Sequence, residues 1–178
     1  MLKRAIEVLR CRRGVSAVEF AVIAPVLAVL LAGTIEICNA LECRQKVIST
    51  TASLADLVAQ ASTVSSSDLS NIFSAGNSIL YPFAASNATI VISSIVNNAA
   101  NGQNTVDWSK AQNGSPLLHN TVMNNIPAGI IASGGGAIFV QVTYNYTSPL
   151  GDLIGTIPMG DTFYSRPRQS TKVTCSDC

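Results

Sequence analysis

The chain is poor in charge, in aromatics and in histidine. Of its 178 residues 12% are charged and 6% are aromatic, and the single histidine is His119. One histidine cannot act both as a base and as a metal ligand, and no serine, histidine and aspartate are spaced as a nucleophilic triad. Gly134-Gly135-Gly136 lacks the following Lys-Ser/Thr of a phosphate loop and reads as a turn. Basic residues are scarce beyond the start of the chain. Residues 1–14 hold five basic side chains against one acidic, a net of +4; the whole chain is +1, which leaves −3 for the remainder. A weakly acidic body without a basic stripe excludes nucleic acid as the expected partner. Cys43, Cys175, Cys178 and His119 would meet the ligand count of a zinc site, but only the closing pair has ligand spacing. No metal, no cofactor and no catalytic residue is therefore expected, and the composition points to a structural and interaction protein rather than an enzyme.

What the chain does have is one long apolar run. Residues 15–41 read VSAVEFAVIAPVLAVLLAGTIEICNAL, with sixteen uncharged residues, Phe20–Ile35, between Glu19 and Glu36. A membrane-spanning helix needs roughly 20 apolar residues. That length is reached by including Val15–Val18 and Ile37–Cys38, which places Glu19 inside the span. Five lysines and arginines cluster before the run, against Arg44 and Lys46 just after it. By the positive-inside rule the N-terminus lies in the cytoplasm and the rest across the membrane. The run exceeds the roughly 7–15 residues of a secretory signal core, and Cys38-Asn39-Ala40 is a poor cleavage site. An ordinary uncleaved anchor is the main competing explanation.

Glu19 separates the two. A carboxylate inside a bilayer costs on the order of 2.5–3.5 kcal/mol on insertion scales and normally has a partner there. An ordinary anchor gains nothing from it. Arg12-Arg13-Gly14 precedes Val15, and Gly14 offers no side chain to obstruct a peptidase. A cut between Gly14 and Val15 would create a new amino group, with Glu19 the fifth mature residue and Phe20 the sixth. The carboxylate of one subunit could then pair with the new terminus of a neighbour.

The stretch RRGVSAVEFAVIAP, residues 12–25, resembles the N-terminus of TadE-like proteins, minor pilins or pseudopilins of the tight-adherence (Flp, type IVc) pilus system. The resemblance implies that Gly14 and Val15 flank a prepilin-peptidase cut. It also makes Glu19 the assembly carboxylate, followed by Phe20, with Pro25 the helix proline of the pattern. Val15 stands where general secretion pseudopilins and type IVa pilins usually place phenylalanine, which favours the tight-adherence branch. Implied partners are other pilin or pseudopilin subunits, the pilus assembly platform, the prepilin peptidase and the bacterial inner membrane. Implied roles are pilus biogenesis, surface adherence and biofilm formation. The alternative is a single-pass anchored adhesin or sensor that never enters a filament.

The expected organisation is a cleaved cytoplasmic leader at 1–14, a transmembrane helix at 15–41 and a periplasmic or extracellular α/β domain at 42–178. The fold class is α+β and pilin-like. Val47, Thr51, Leu54, Val58 and Ala61 recur at steps of three and four, and no Gly or Pro interrupts 34–62. One helix from about residue 16 to 62, roughly 70 Å long, follows. Ser65–Ser67 is placed to cap a second helix with Leu69, Ile72, Phe73 and Leu80 on its apolar side, ended by Tyr81-Pro82. Strands are expected at Ala88–Val96, Thr105–Lys110, Ala137–Tyr146, Thr162–Arg166 and Ser170–Thr174. The first two are joined by a hairpin through Asn101-Gly102. Residues 111–136, rich in Asn, Gly and Pro, read as a long surface excursion.

Cys175-Ser-Asp-Cys178 has the C-x-x-C spacing of thiol oxidoreductases. Such enzymes follow the motif with a helix whose N-terminus lowers the thiol pKa, and here the second cysteine is the last residue of the sequence. An exported structural disulfide is expected instead, either Cys175–Cys178 or one reaching Cys43.

Overall fold

The computed structural model describes residues 12–127, 129–148 and 155–178. The leader expected at 1–14 falls outside them up to residue 11. The chain divides into two compact units, the first ending at Ala40 and the second spanning Leu41–Cys178.

Helix α1, Arg12–Ala59, is 48 residues long and contains Pro25. In the first unit it carries the apolar run. In the second unit, Cys43, Val47, Thr50, Thr51, Leu54, Ala55, Val58 and Ala59 are buried along one face. Thr50 and Thr51 satisfy their buried hydroxyls on the carbonyls of Lys46 and Val47, each at 2.8 Å. The helix stops three residues earlier than expected. Nothing local stops it. The amide of Arg168 takes the carbonyl of Ala59 (2.9 Å), and those of Thr174 and Ser176 take Ser62 and Val64 (3.1 and 3.0 Å). These distant amides pull residues 62–64 into an extended path. Ala61, expected on the helix, lies just beyond it.

Strand β1, Thr63–Val64, leads into helix α2, Ser66–Leu80. Ser65 is the N-cap: its hydroxyl accepts from the Asp68 amide (3.2 Å), and the Asp68 carboxylate accepts from the Ser65 amide (2.9 Å). The hydrogen bonds from Ser65 hold the Asp68 carboxyl below its usual pKa. Leu69, Gly76 and Leu80 form the buried face of α2, with Ile72 and Phe73 half-buried. Gly76 allows close approach: a Cβ there would lie 3.0 Å from Leu54 Cδ1 and 3.4 Å from Ile90 Cδ1.

Four antiparallel strands follow: β2 (Ala88–Asn97), β3 (Asn104–Gln112), β4 (Gly136–Thr147) and β5 (Thr156–Ser165), in the order β3-β2-β4-β5. Ile90 opposite Val142 and Ile92 opposite Val140 place fully buried pairs at the sheet centre. The hairpin between β2 and β3 turns at Gly102, whose φ of +70° suits glycine. The excursion after β3 folds back on that strand. Val106 donates to Thr121, Asn120 donates to Val106, and Met123 donates to Asn104.

Two expected strands need correction. The strand expected from Thr162, β5, begins at Thr156 instead, because ten register pairs with β4 run from Ile138–Ser165 to Thr147–Thr156. Pro158 and Gly160 disguise it in the sequence, but proline is tolerated in an edge strand. Residues 170–174 are mostly turn, closed by the Ser170 hydroxyl on the Lys172 carbonyl (2.6 Å). Only β6, Thr174–Cys175, is extended, and it pairs in parallel with β1 outside the main sheet.

Candidate functional site

The apolar half of α1 is exposed on all sides. Val15, Val18, Phe20, Val22, Ile23, Val26, Leu27, Val29, Leu30 and Leu31 are each more than half exposed, Phe20 at 68%. Water does not tolerate that much contiguous apolar surface. The helix is long and apolar enough to cross a membrane, and it anchors the chain there. Glu19 is exposed within this surface, adjoining Phe20. Pro25 withdraws one amide from the ladder, yet the chain stays helical through it. Gly14 and Val15 lie within the described part of α1.

A second feature of the same surface involves neither charge nor proline. Ala17, Ala21, Ala24, Ala28 and Ala32 recur at steps of four, three, four and four. At roughly 100° per residue they lie within roughly 80° of one another, nearly opposite Glu19. The signal was legible as a period in small residues rather than in large apolar ones. Such a stripe lets a neighbouring helix approach closely in a bilayer.

In the second unit, the cysteines resolve as Cys175–Cys178, one disulfide with a sequence separation of 3. Cys43 does not take part. It is a buried free thiol whose pKa is pushed up to about 11 by burial and by the neighbouring Glu42 carboxylate. Tyr144 lies close enough to Cys43 to have its own phenol raised, chiefly by burial. The two side chains mark where α1 meets β4.

An open cleft of about 530 Å³ is lined by Asp107, Trp108, His119, Lys172 and the disulfide. Lys172 pairs with Asp107 at 3.1 Å, and the Nδ1 of His119 lies 2.6 Å from the Asp107 carbonyl oxygen. The indole of Trp108 is committed to the Val173 carbonyl at 2.8 Å. Ser66 N–H, at the start of α2, donates to the Asp177 carboxylate rather than to a sulfur. The arrangement that lowers a catalytic thiol's pKa is not built here. Among the described residues no three His, Cys, Asp or Glu side chains are grouped to hold a metal ion; His119 stands apart from any such set.

Residues 14–56 match the family described as TadE-like protein. This segment is TadE-like. The match opens at Gly14, takes in Glu19, Phe20 and Pro25, and ends at Asp56 inside α1. The four-stranded sheet lies outside the matched segment. Neither the curated proteins nor the solved structures contain a match to the chain.

Proposed function

We propose that the protein is a minor pilin or pseudopilin of a Tad-type pilus, acting in pilus biogenesis and through it in surface adherence and biofilm formation. The observation that carries this reading is Glu19: one carboxylate in an exposed apolar helix, five residues after Gly14, within the TadE-like segment. The basic leader stays in the cytoplasm and the Leu41–Cys178 unit lies on the far side of the inner membrane. The prepilin peptidase cuts between Gly14 and Val15. The α-amino group so created, at position 15 of a neighbouring subunit, neutralises Glu19 in the low-dielectric bilayer. Phe20 and Pro25 shape the contact, while the alanine stripe lets a second neighbour pack closely on the opposite face. The role is structural: the chain contacts other subunits and the assembly platform and carries out no chemistry.

The deciding experiment is to determine the N-terminal residue of protein recovered from membranes of a host with its own prepilin peptidase. The expected result is a chain beginning at Val15 that reverts to the full-length form when the peptidase gene is deleted. An uncut chain in the peptidase-positive host would overturn the proposal in favour of an anchored adhesin or sensor.

A further inference from the structure

We propose that the Cys175–Cys178 ring is a redox-formed clasp that locks the C-terminal strap onto the start of α2. The inference goes beyond the pilus proposal and does not depend on it. The strap from residue 166 onward joins several parts of the Leu41–Cys178 unit. Arg168 binds Asp56 through its side chain and the Ala59 carbonyl through its amide. Val173 is fully buried, and its carbonyl accepts from the Trp108 indole (2.8 Å) and the Ser94 hydroxyl (3.2 Å). Residues 174–178 bury no side chain fully and are tied down by a set of polar contacts. These are the two-residue pairing of β1 with β6, the Thr63–Thr174 hydroxyl pair (3.0 Å) and the Ser176 amide on Val64 (3.0 Å). Ser66 adds two more, its amide on the Asp177 carboxylate (2.7 Å) and its hydroxyl on the Asp177 carbonyl (3.1 Å).

Exposed polar contacts of this kind open readily. The disulfide removes that freedom, because it closes the ring that contains Asp177 and so restricts the carboxylate to positions near Ser66 N–H. Asp177 then satisfies an amide that helix geometry leaves unpaired, beside the capping box already made by Ser65 and Asp68. Forming the ring takes two electrons and two protons from the Cys175 and Cys178 thiols. A disulfide-bearing oxidant accepts them and becomes a dithiol. Cys178 is exposed and both sulfurs line the open cleft, so reagents reach the bond. The clasp thus closes in an oxidising compartment and opens in a reducing one while the buried core, Val173 included, stays in place.

The test is amide hydrogen exchange on the full chain in detergent micelles, with and without dithiothreitol. Reduction should accelerate exchange at Ser66 and Ser176 by roughly tenfold or more, the scale set by opening a short disulfide loop, and leave Ile92 and Val140 unchanged. In the oxidised protein, Asp177→Asn should speed exchange at Ser66 and spare Ser176. Unchanged exchange at Ser66 and Ser176 after complete reduction would overturn the proposal. So would equal acceleration at Ile92 and Val140, because the bond would then support the whole domain rather than a local clasp. Reducing the folded wild-type protein avoids any dependence on cysteine variants that fail to fold.

Discussion

Gly76 and Leu54 offer a sharp test of how α1 is seated against α2. Leu54 is fully buried, and its Cδ1 stands 3.0 Å from where a Cβ at residue 76 would be, with Ile90 Cδ1 at 3.4 Å. Leu54→Ala removes three carbons from a closed core and should cost about 3 kcal/mol. Gly76→Ala has two opposed effects. Helix propensity favours alanine by about 1 kcal/mol, while forcing the Leu54 methyls aside in a packed interior costs about 1–3 kcal/mol. The net effect in the wild type is neutral to destabilising by about 2 kcal/mol. In the Leu54→Ala background the obstructing methyls are gone, so Gly76→Ala should stabilise by about 1 kcal/mol. The cycle therefore predicts a coupling of about 1–3 kcal/mol between the two sites. Denaturant unfolding of the four proteins in micelles reads it, with the buried Trp108 as fluorescent reporter. Additive effects, or a Gly76→Ala variant more stable than wild type, would refute this account of the α1–α2 contact.

Three further outcomes are expected. Glu19→Ala should insert into the membrane and be cut at Gly14 normally yet fail to co-purify with other pilus subunits; unchanged co-purification would remove the role assigned to the carboxylate. Ser65→Ala should lose about 1 kcal/mol of stability through the broken capping box. Because the Asp68 carboxyl is depressed in the fold, its contribution is present above the unfolded carboxylate pKa and is lost as pH falls through the folded value. The acid limb of an unfolding profile should accordingly be shallower in Ser65→Ala than in wild type. Cys43 should resist alkylation at pH 8 until the domain unfolds. Its raised pKa adds stability below the ordinary thiol value of 9.0 that is lost as pH climbs toward about 11, so Cys43→Ala should remove that part of the alkaline destabilisation.

The apolar surface of α1 was legible because its physics is local. A run of apolar side chains is costly in water wherever it sits, and a carboxylate within it is costly in a bilayer. Neither inference needs a tertiary contact. The same holds for the Ser65 cap, the Gly102 hairpin and the alternation Ile138, Val140, Val142, Tyr144, Tyr146 in β4, where nearest neighbours in the chain carry the signal. The alanine stripe was equally local but was hidden by attention to large residues.

The end of α1, the start of β5 and the pairing of the cysteines were decided otherwise. Residues 60–62 contain no breaker, and the helix stops because amides more than a hundred positions later claim its neighbourhood. Thr156–Gly160 looks like a loop, and becomes a strand because β4 presents an unpaired edge that must be satisfied. Cys43 and the closing pair were equal candidates on chemistry alone. Burial of Cys43 against Tyr144 removed it, and the return of the strap to β1 left Cys175 and Cys178 for each other. The sequence by itself determined the apolar run of α1 and the carboxylate within it, since solvation acts on each side chain singly. Only the tertiary structure decided where helix gives way to strand and which sulfurs join, since those outcomes depend on partners distant in the chain.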